Sequence, residues 1–386
     1  MNDVLRTLRE ARPAELDPDV PADARVREAE LARAMAAAPE PVIGRGARRR
    51  VRPVWGIGLA GAVAAGTVAA VVLVPGGGGE PERSRAGGQT GQTQRLDART
   101  VLLAAAEKAG GQSDTMGAYW HTVSISSHTY TVGKAGARYS VTVRDRYEAW
   151  TPSKPGGTVY GRQQYLGAKP ATAADEAAWR RAGAPETFEI RVPISPGSKI
   201  TKPYRAKLAA ASPQPPKLSA SPLVDGDKVF WLGRNVTMKQ VRALPSDPAR
   251  LKAELMRWFE GHDTESDRPM DGGEWLYRVA SGLVMDMPVR PEVRAAGFRM
   301  LAGLPGVTSV GRVADPEGRP GSAIAVDAAT PGGVIRDQMI IDLATGTALA
   351  RANVMMKPTA GTEVPAGRTM DSEVLLTAEW TDSAPR

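Results

Sequence analysis

The chain has 386 residues, a formal net charge of +8 and 42% hydrophobic residues. It has no cysteine, which excludes disulfides, zinc–thiolate centres and thiol nucleophiles together. The length allows one large or two small folded domains. The positive charge is thinly spread, with no basic–aromatic cluster of the kind that binds nucleic acid.

Residues 1–53 carry 11 Arg against 9 acidic residues. Residues 2–11 and 23–38 read as short helices interrupted by Pro13, Pro18 and Pro21. Neither can bury much. Two readings follow: a partly disordered tail, or a tail whose residues 1–40 fold onto a cytoplasmic regulator.

Val54–Val74 then runs without a charge, with Thr67 as its only hydroxyl. As a helix it reaches roughly 30 Å, the depth of a bilayer's hydrocarbon. Arg45, Arg48, Arg49, Arg50 and Arg52 precede it, and no such cluster follows. That asymmetry predicts a single membrane span with the N-terminus in the cytoplasm and everything after about Pro75 outside. A cleavable signal peptide is too short to explain the run, which also begins too deep in the chain. The G-x-G-x-x-G spelled by Gly56, Gly58 and Gly61 has no preceding strand and is read as chance. The small-residue ridge Ala62, Gly66, Ala70 is read as facing lipid rather than as a dimer seam.

Residues 75–95 are a Gly/Gln/Arg/Ser linker. The exterior domain, 96–386, opens with a helix over about 97–109, capped by Asp97. Residues 118–132 and 139–150 alternate as half-buried antiparallel strands. Asp145 interrupts the apolar face, which points to a buried ion pair or a strand end. Thr172 and Asp175 start a helix anchored by Trp179. Residues 193–224 are proline-rich and expected to be irregular, followed by a short strand at Lys228–Leu232. Asp247 and Pro248 open a helix carrying Leu251, Leu255, Trp258 and Phe259. Further helices start near Glu274, with Leu276, Val279 and Leu283, and at Pro291, with Val293, Met300 and Leu301. Strands return with Ile324, Val326, Met339 and Ile341, and Asp342–Gly346 makes a hairpin turn. In the last strand Val374, Leu376, Ala378 and Trp380 are placed on one face. Strands, then helices, then strands predict an α+β fold: an antiparallel sheet with helices on one face.

Chemistry is sparse. Neither G-x-S-x-G nor a P-loop occurs. His121 and His128 are seven apart, so on a straight strand they face opposite sides; a triad or a histidine-rich metal site does not form. Asp263, Glu265, Asp267, Asp271 and Glu274 space like ligands of a calcium loop. Arg268 stands where that loop needs glycine, so a solvated acidic connection is the better reading. Asn235-Val-Thr237 is a formal glycosylation sequon of little weight. No catalytic residue, cofactor or metal ligand is assigned.

The runs Ala243-Leu-Pro-Ser-Asp247-Pro, Pro291-Glu-Val-Arg, Leu304-Pro-Gly-Val307, Asp315-Pro-Glu-Gly-Arg-Pro-Gly321 and Ile341-Asp-Leu-Ala-Thr-Gly346 resemble a family of uncharacterised actinobacterial single-pass membrane proteins. The resemblance covers most of the chain and is strongest over 229–350. It implies an arginine-flanked span, an exterior domain and an association with extracytoplasmic sigma factors, hence envelope-stress signalling. At the level of fold the exterior pattern is similar to the half-barrel of periplasmic lipoprotein carriers and sigma-regulator sensor domains. The zinc-binding anti-sigma motif needs cysteines and is absent. The expectation is an anchored, non-catalytic exterior domain that binds a hydrophobic or protein ligand, with the tail as relay. The alternative is an anchored lipid or lipoprotein carrier.

Overall fold

The structure is a computed structural model that describes residues 96–134, 136–192, 204–209, 212–264, 268–360, 362 and 364–385. The predicted tail, span and linker lie outside the described residues. No helix among the described residues is long and apolar enough to cross a membrane.

The elements in chain order are α1 (Ala98–Gly110), β1 (Tyr119–Val132), β2 (Tyr139–Pro152), β3 (Thr158–Pro170), α2 (Ala173–Arg181), β4 (Thr187–Val192), β5 (Tyr204–Ala209), β6 (Lys217–Pro222), β7 (Lys228–Trp231) and β8 (Arg234–Thr237). They continue with α3 (Met238–Arg242), α4 (Pro248–Met256), α5 (Gly272–Met285), α6 (Pro291–Leu301), β9 (Thr308–Ala314), β10 (Pro320–Thr330), β11 (Gly333–Asp342), β12 (Thr347–Pro358) and β13 (Thr369–Thr381). Nine strands form one antiparallel sheet in the order β6-β3-β2-β1-β13-β12-β11-β10-β9. Two hairpins, β4–β5 and β7–β8, stand apart from it. The fold is α+β.

Local chemistry sets the helix ends. Asp97 accepts from the Thr100 amide at 2.7 Å, Asp247 from Arg250 at 2.8 Å, and Asp271 from Gly273 and Glu274 at 2.7 and 2.9 Å. Helix α5 is apolar nearly all round, with Trp275, Leu276, Val279, Leu283 and Val284 buried. A helix of that kind belongs in the interior. Its partner α6 approaches closely at Gly297, where a Cβ would sit 2.7 Å from Val284 Cγ1. At the far end of α5 the buried Arg294 donates to the carbonyls of Val284, Met285 and Met287. It satisfies carbonyls that every helix C-terminus leaves open.

The sheet uses its two faces differently. One carries Trp120, Ile324, Met339, Ile341 and Leu375, packed under α1, α4, α5 and α6. Further along the same face Val132, Tyr139, Val141 and Val143 pack with Phe188 and Ile190 of β4 and Trp179 of α2. The other face carries Ile125, Ala323, Ile340, Ala350 and Val374, and Leu166, Val310 and Val313 close over it. Leu166 belongs to β3 and the two valines to β9, near opposite ends of the sheet order. Arg144 of β2 also pairs with Glu317 in the β9–β10 turn. Laid flat, six inter-strand steps would hold β2 and β9 roughly 30 Å apart. The sheet therefore curls, and side chains fill the inside of the curl.

The β9–β10 turn locks this curl. Asp315, whose side chain has 0% exposure, accepts from the amides of Glu317 and Arg319 at 2.9 Å each and from Arg319 Nε at 2.7 Å. Arg319 then donates to Leu349 O at 3.1 Å and Leu375 O at 2.8 Å. Those carbonyls lie just where β12–β13 pairing stops, beyond Ala350 and Val374.

Three expectations are corrected. The region 193–224 is not irregular throughout: it contains β5 and β6. Every residue of β6 is exposed, so this edge strand has no apolar alternation, and its prolines sit at or before its ends. Val374 does not share a face with Ala378 and Trp380. A register shift between Val123 and Ser124 in the β1–β13 ladder makes Leu376 a bulge residue and reverses the parity. Trp258 and Phe259 lie past the end of α4, though both still pack against the helical core.

Candidate functional site

Between the two apolar clusters on the helix-covered face runs a band of polar side chains. It is set by cross-strand register. Ser126 of β1 lies opposite Glu373 of β13, and His128 opposite Asp371. Arg351 of β12 lies opposite Glu373, and Asn353 opposite Asp371. Asp337 of β11 lies opposite Asn353. On the other side of β1, Asp145 and Tyr147 of β2 continue the band.

This band floors a cleft of about 200 Å³, roofed by Arg278 and Gly282 of α5, by its C-cap Asp286, and by Trp231 at the end of β7 and Leu232 after it. Arg351 Nη2 donates to Glu373 at 2.9 Å, yet 31% and 23% of the two side chains remain accessible. Deep charged groups with that much free surface are cleft walls. Asn353 donates to Asp371 at 3.2 Å, while its Oδ1 has no partner among the described residues. Ser126 Oγ and His128 Nε2 are 3.1 Å apart. No described residue hydrogen-bonds the Asp286 carboxylate apart from its own backbone; its carbonyl accepts from Trp120 Nε1 at 2.7 Å.

The electrostatics follow from crowding acids into a poorly hydrated space. Burial raises the Asp286 carboxyl to about 7; Glu373 adds to the rise, and Arg351 and Arg294 oppose it. Burial raises Asp371 to about 7 as well, with Asp337 adding and Asn353, Arg278 and Arg351 opposing. Asp337 is raised by burial against the pull of Arg278 and Arg351. Burial works to lower the Arg351 guanidinium, but Glu373, Asp286 and Asp337 outweigh it and hold it above its ordinary value. His128 is lowered by burial, against Glu373. Tyr147 is pushed up to about 12, by burial first and Asp145 second.

At the cleft mouth Asp263 and Glu274 of the acidic connection between α4 and α5 are held in ion pairs, while Glu265 and Asp267 lie outside the described residues. Arg278 reaches Asp263 at 3.1 Å and Glu274 at 3.3 Å, and Arg268 reaches Glu274 at 2.6 Å. Asp271 is spent on the α5 cap. Arg268 and Arg278 thus take up the described carboxylates at the first and last positions of the would-be calcium loop. No group of three or more His, Asp or Glu among the described residues is arranged to hold a metal.

Other sequence candidates are scattered. His121 stacks on Trp150 at 4.7 Å and pairs with Glu148 at 3.1 Å, on the opposite face from His128. Asp145 has neither of its expected roles: its hydrogen bond comes from Gln163, diagonal to it on β3, at 3.4 Å, and burial raises its carboxyl. Thr237 of the sequon caps α3 in a capping box with Gln240. The motifs quoted for the resemblance fall on caps and turns at Asp247, Gly306, Asp315 and Asp342, away from the cleft floor.

Sequence reasoning missed Asp286, Asp337, Arg351, Asn353, Asp371 and Glu373. A signal was present: Asp337, Arg351 and Asn353, Asp371 and Glu373 place polar side chains at core-facing parity on three consecutive strands. Comparison of the chain with protein-family models, with curated proteins and with solved structures finds no match.

Proposed function

We propose that the chain is a membrane-anchored protein whose exterior α+β domain binds a small polar ligand in the cleft between the sheet and α5. The anchor is residues 54–74, and residues 1–40 relay occupancy to a cytoplasmic regulator. The observation that carries the reading is the cleft itself: about 200 Å³ of space walled by Asp286, Asp337, Asp371 and Glu373 around Arg351. Placing charges in such a space costs stability, and sites that retain that cost are functional candidates. Connecting a bound ligand to the rest of the chain is straightforward, because α5 packs on α6, and α6 packs on α1, the first helix after the linker.

The reading is of binding rather than catalysis. Ser126 and His128 resemble a nucleophile and base, but no carboxylate among the described residues hydrogen-bonds His128 Nδ1. A lipid carrier would need an open apolar surface inside the curl of the sheet; Ile125, Ile340, Ala350 and Val374 fill it, with Leu166, Val310 and Val313 above. That packing favours the binding domain.

The test is thermal unfolding of the detergent-solubilised full chain against a panel of small sugars, amino acids, amines and phosphates. A saturable rise in Tm that disappears in Glu373→Gln supports the proposal. A flat response to the whole panel overturns it.

A further inference from the structure

We propose that the groove along the free edge of β13 takes an extended peptide of a partner protein, alternating in apolar and basic side chains, which adds to the sheet as a strand. The groove has a volume of about 690 Å³ and shares no lining residue with the cleft. It exists because two neighbouring strands part. Pairing of β12 with β13 stops at Ala350 and Val374, whereas β13 stays on β1 as far as Thr381 and β12 stays on β11 as far as Thr347. Arg319 sits at the fork, donating to Leu349 O at 3.1 Å and Leu375 O at 2.8 Å.

The edge beyond the fork is unused. Among the described residues, the backbone of 376–381 makes no hydrogen bond outside the β1–β13 ladder. In an antiparallel ladder the N–H and C=O groups of alternate residues point to opposite sides, so roughly three of these residues turn both groups into the groove. A row of such groups is a template for one more strand. The edge accepts roughly 20 Å of extended chain.

The side chains along the edge specify that strand. Ala378 and Trp380 turn to the helix-covered face, where Met116, Val289 and Pro291 also line the groove. Met116 and Leu376 are 47% and 40% exposed, two of the five large apolar side chains left so open among the described residues. An incoming strand therefore meets apolar surface on this side. Glu379 points to the opposite face, is exposed and has no partner among the described residues. Asp382 lines the same groove and accepts from the Ala118 amide at 2.8 Å. The arginines of the groove do not answer these acids: Arg294 caps α5, and Arg319 is held by Asp315 and two carbonyls. Side chains two apart in a strand share a face, so the peptide sets apolar residues toward Trp380 and Met116 and Lys or Arg toward Glu379. A second copy of this chain fits poorly, because it would add another Glu379 and Asp382 to a rim that is already acidic.

The experiment is fluorescence anisotropy of labelled, end-blocked hexapeptides with the detergent-solubilised full chain. The probes are alternating valine–lysine, alternating valine–glutamate, and the valine–lysine peptide N-methylated either at its valine amides or at its lysine amides. The expected result is saturable binding of the valine–lysine peptide and at least tenfold weaker binding of the valine–glutamate peptide. One N-methylated peptide should lose at least tenfold and the other bind like the parent, because only one set of amides faces the edge. Glu379→Lys, at an exposed position, should reverse the preference between the lysine and glutamate peptides. Failure of the valine–lysine peptide to bind, or equal binding of all four probes, overturns the proposal. Hydrogen exchange of the free chain is the second measurement: amides of 376–381 that are all protected before peptide is added would show the edge already filled by another segment or a second copy, and would also overturn it.

Discussion

Replacing Asp286 by Asn tests the electrostatic reasoning through stability. An aspartate ionises near 3.8 when unfolded; in the fold Asp286 ionises at about 7, chiefly because of burial. Between those values the folded state holds a proton that the unfolded state has lost, so stability falls as pH rises through this window. Below about 3.8 both states are protonated and the penalty is absent; above 7 both are ionised and it is complete. The difference corresponds to about 4 kcal/mol, and to about 2 kcal/mol after allowing for water in the cleft. Asparagine keeps the shape and carries no charge. Asp286→Asn is therefore expected to be near neutral at pH 4.5 and more stable than the parent by about 2–4 kcal/mol at pH 8. For a domain of this size that is roughly 5–10 °C in Tm. Urea or thermal unfolding of the full chain at five pH values between 4.5 and 8 measures it. A substitution that destabilises equally at every pH would refute the argument, because Asp286 would then be holding structure as an ionised hydrogen-bond acceptor.

Three further substitutions probe the frame around the cleft. Arg319→Ala removes the guanidinium from the carbonyls of Leu349 and Leu375 and from the buried Asp315, which keeps only its two amide donors, and is expected to cost about 3 kcal/mol in urea unfolding; a cost under 1 kcal/mol would mean the turn does not lock the curl. Gly346→Ala forces a Cβ to 2.6 Å from Ala105 O at a φ of 72°, so α1 must retreat, and a loss of at least about 2 kcal/mol should appear in thermal melts. Leu283→Ala opens a cavity under α5, with an expected cost of about 3–4 kcal/mol; an unchanged midpoint would contradict the packing described for that helix.

Much of the architecture was legible because local rules and burial agreed. Asp97, Asp247 and Asp271 stand where helix amides need acceptors, and Tyr139, Val141 and Val143 of β2 alternate with polar residues because their face is covered. Legibility failed where pairing is decided by the backbone. Strand β6 has no buried residue, β3 is broken by Gly161 and Gly167, and the bulge at Leu376 flips half of β13. The cleft was the hardest to read. Asp337, Arg351 and Glu373 are far apart in sequence and meet only through the order β13-β12-β11, which follows from no local pattern. Asp286 reads as an ordinary helix end until the sheet is placed beneath it.

The absence of cysteine offers the most direct measurement of the central claim, that the cleft is open to small solutes and anionic. Ser126→Cys puts a single thiol on the cleft floor beside His128. Its rates of reaction with 2-aminoethyl and 2-sulfonatoethyl methanethiosulfonate are then compared on the folded full chain. A negative potential of a few kT should favour the ammonium reagent by about tenfold or more, with the preference shrinking in Asp286→Asn. Equal rates for the two reagents, or a thiol that neither reaches until the chain unfolds, would contradict the account.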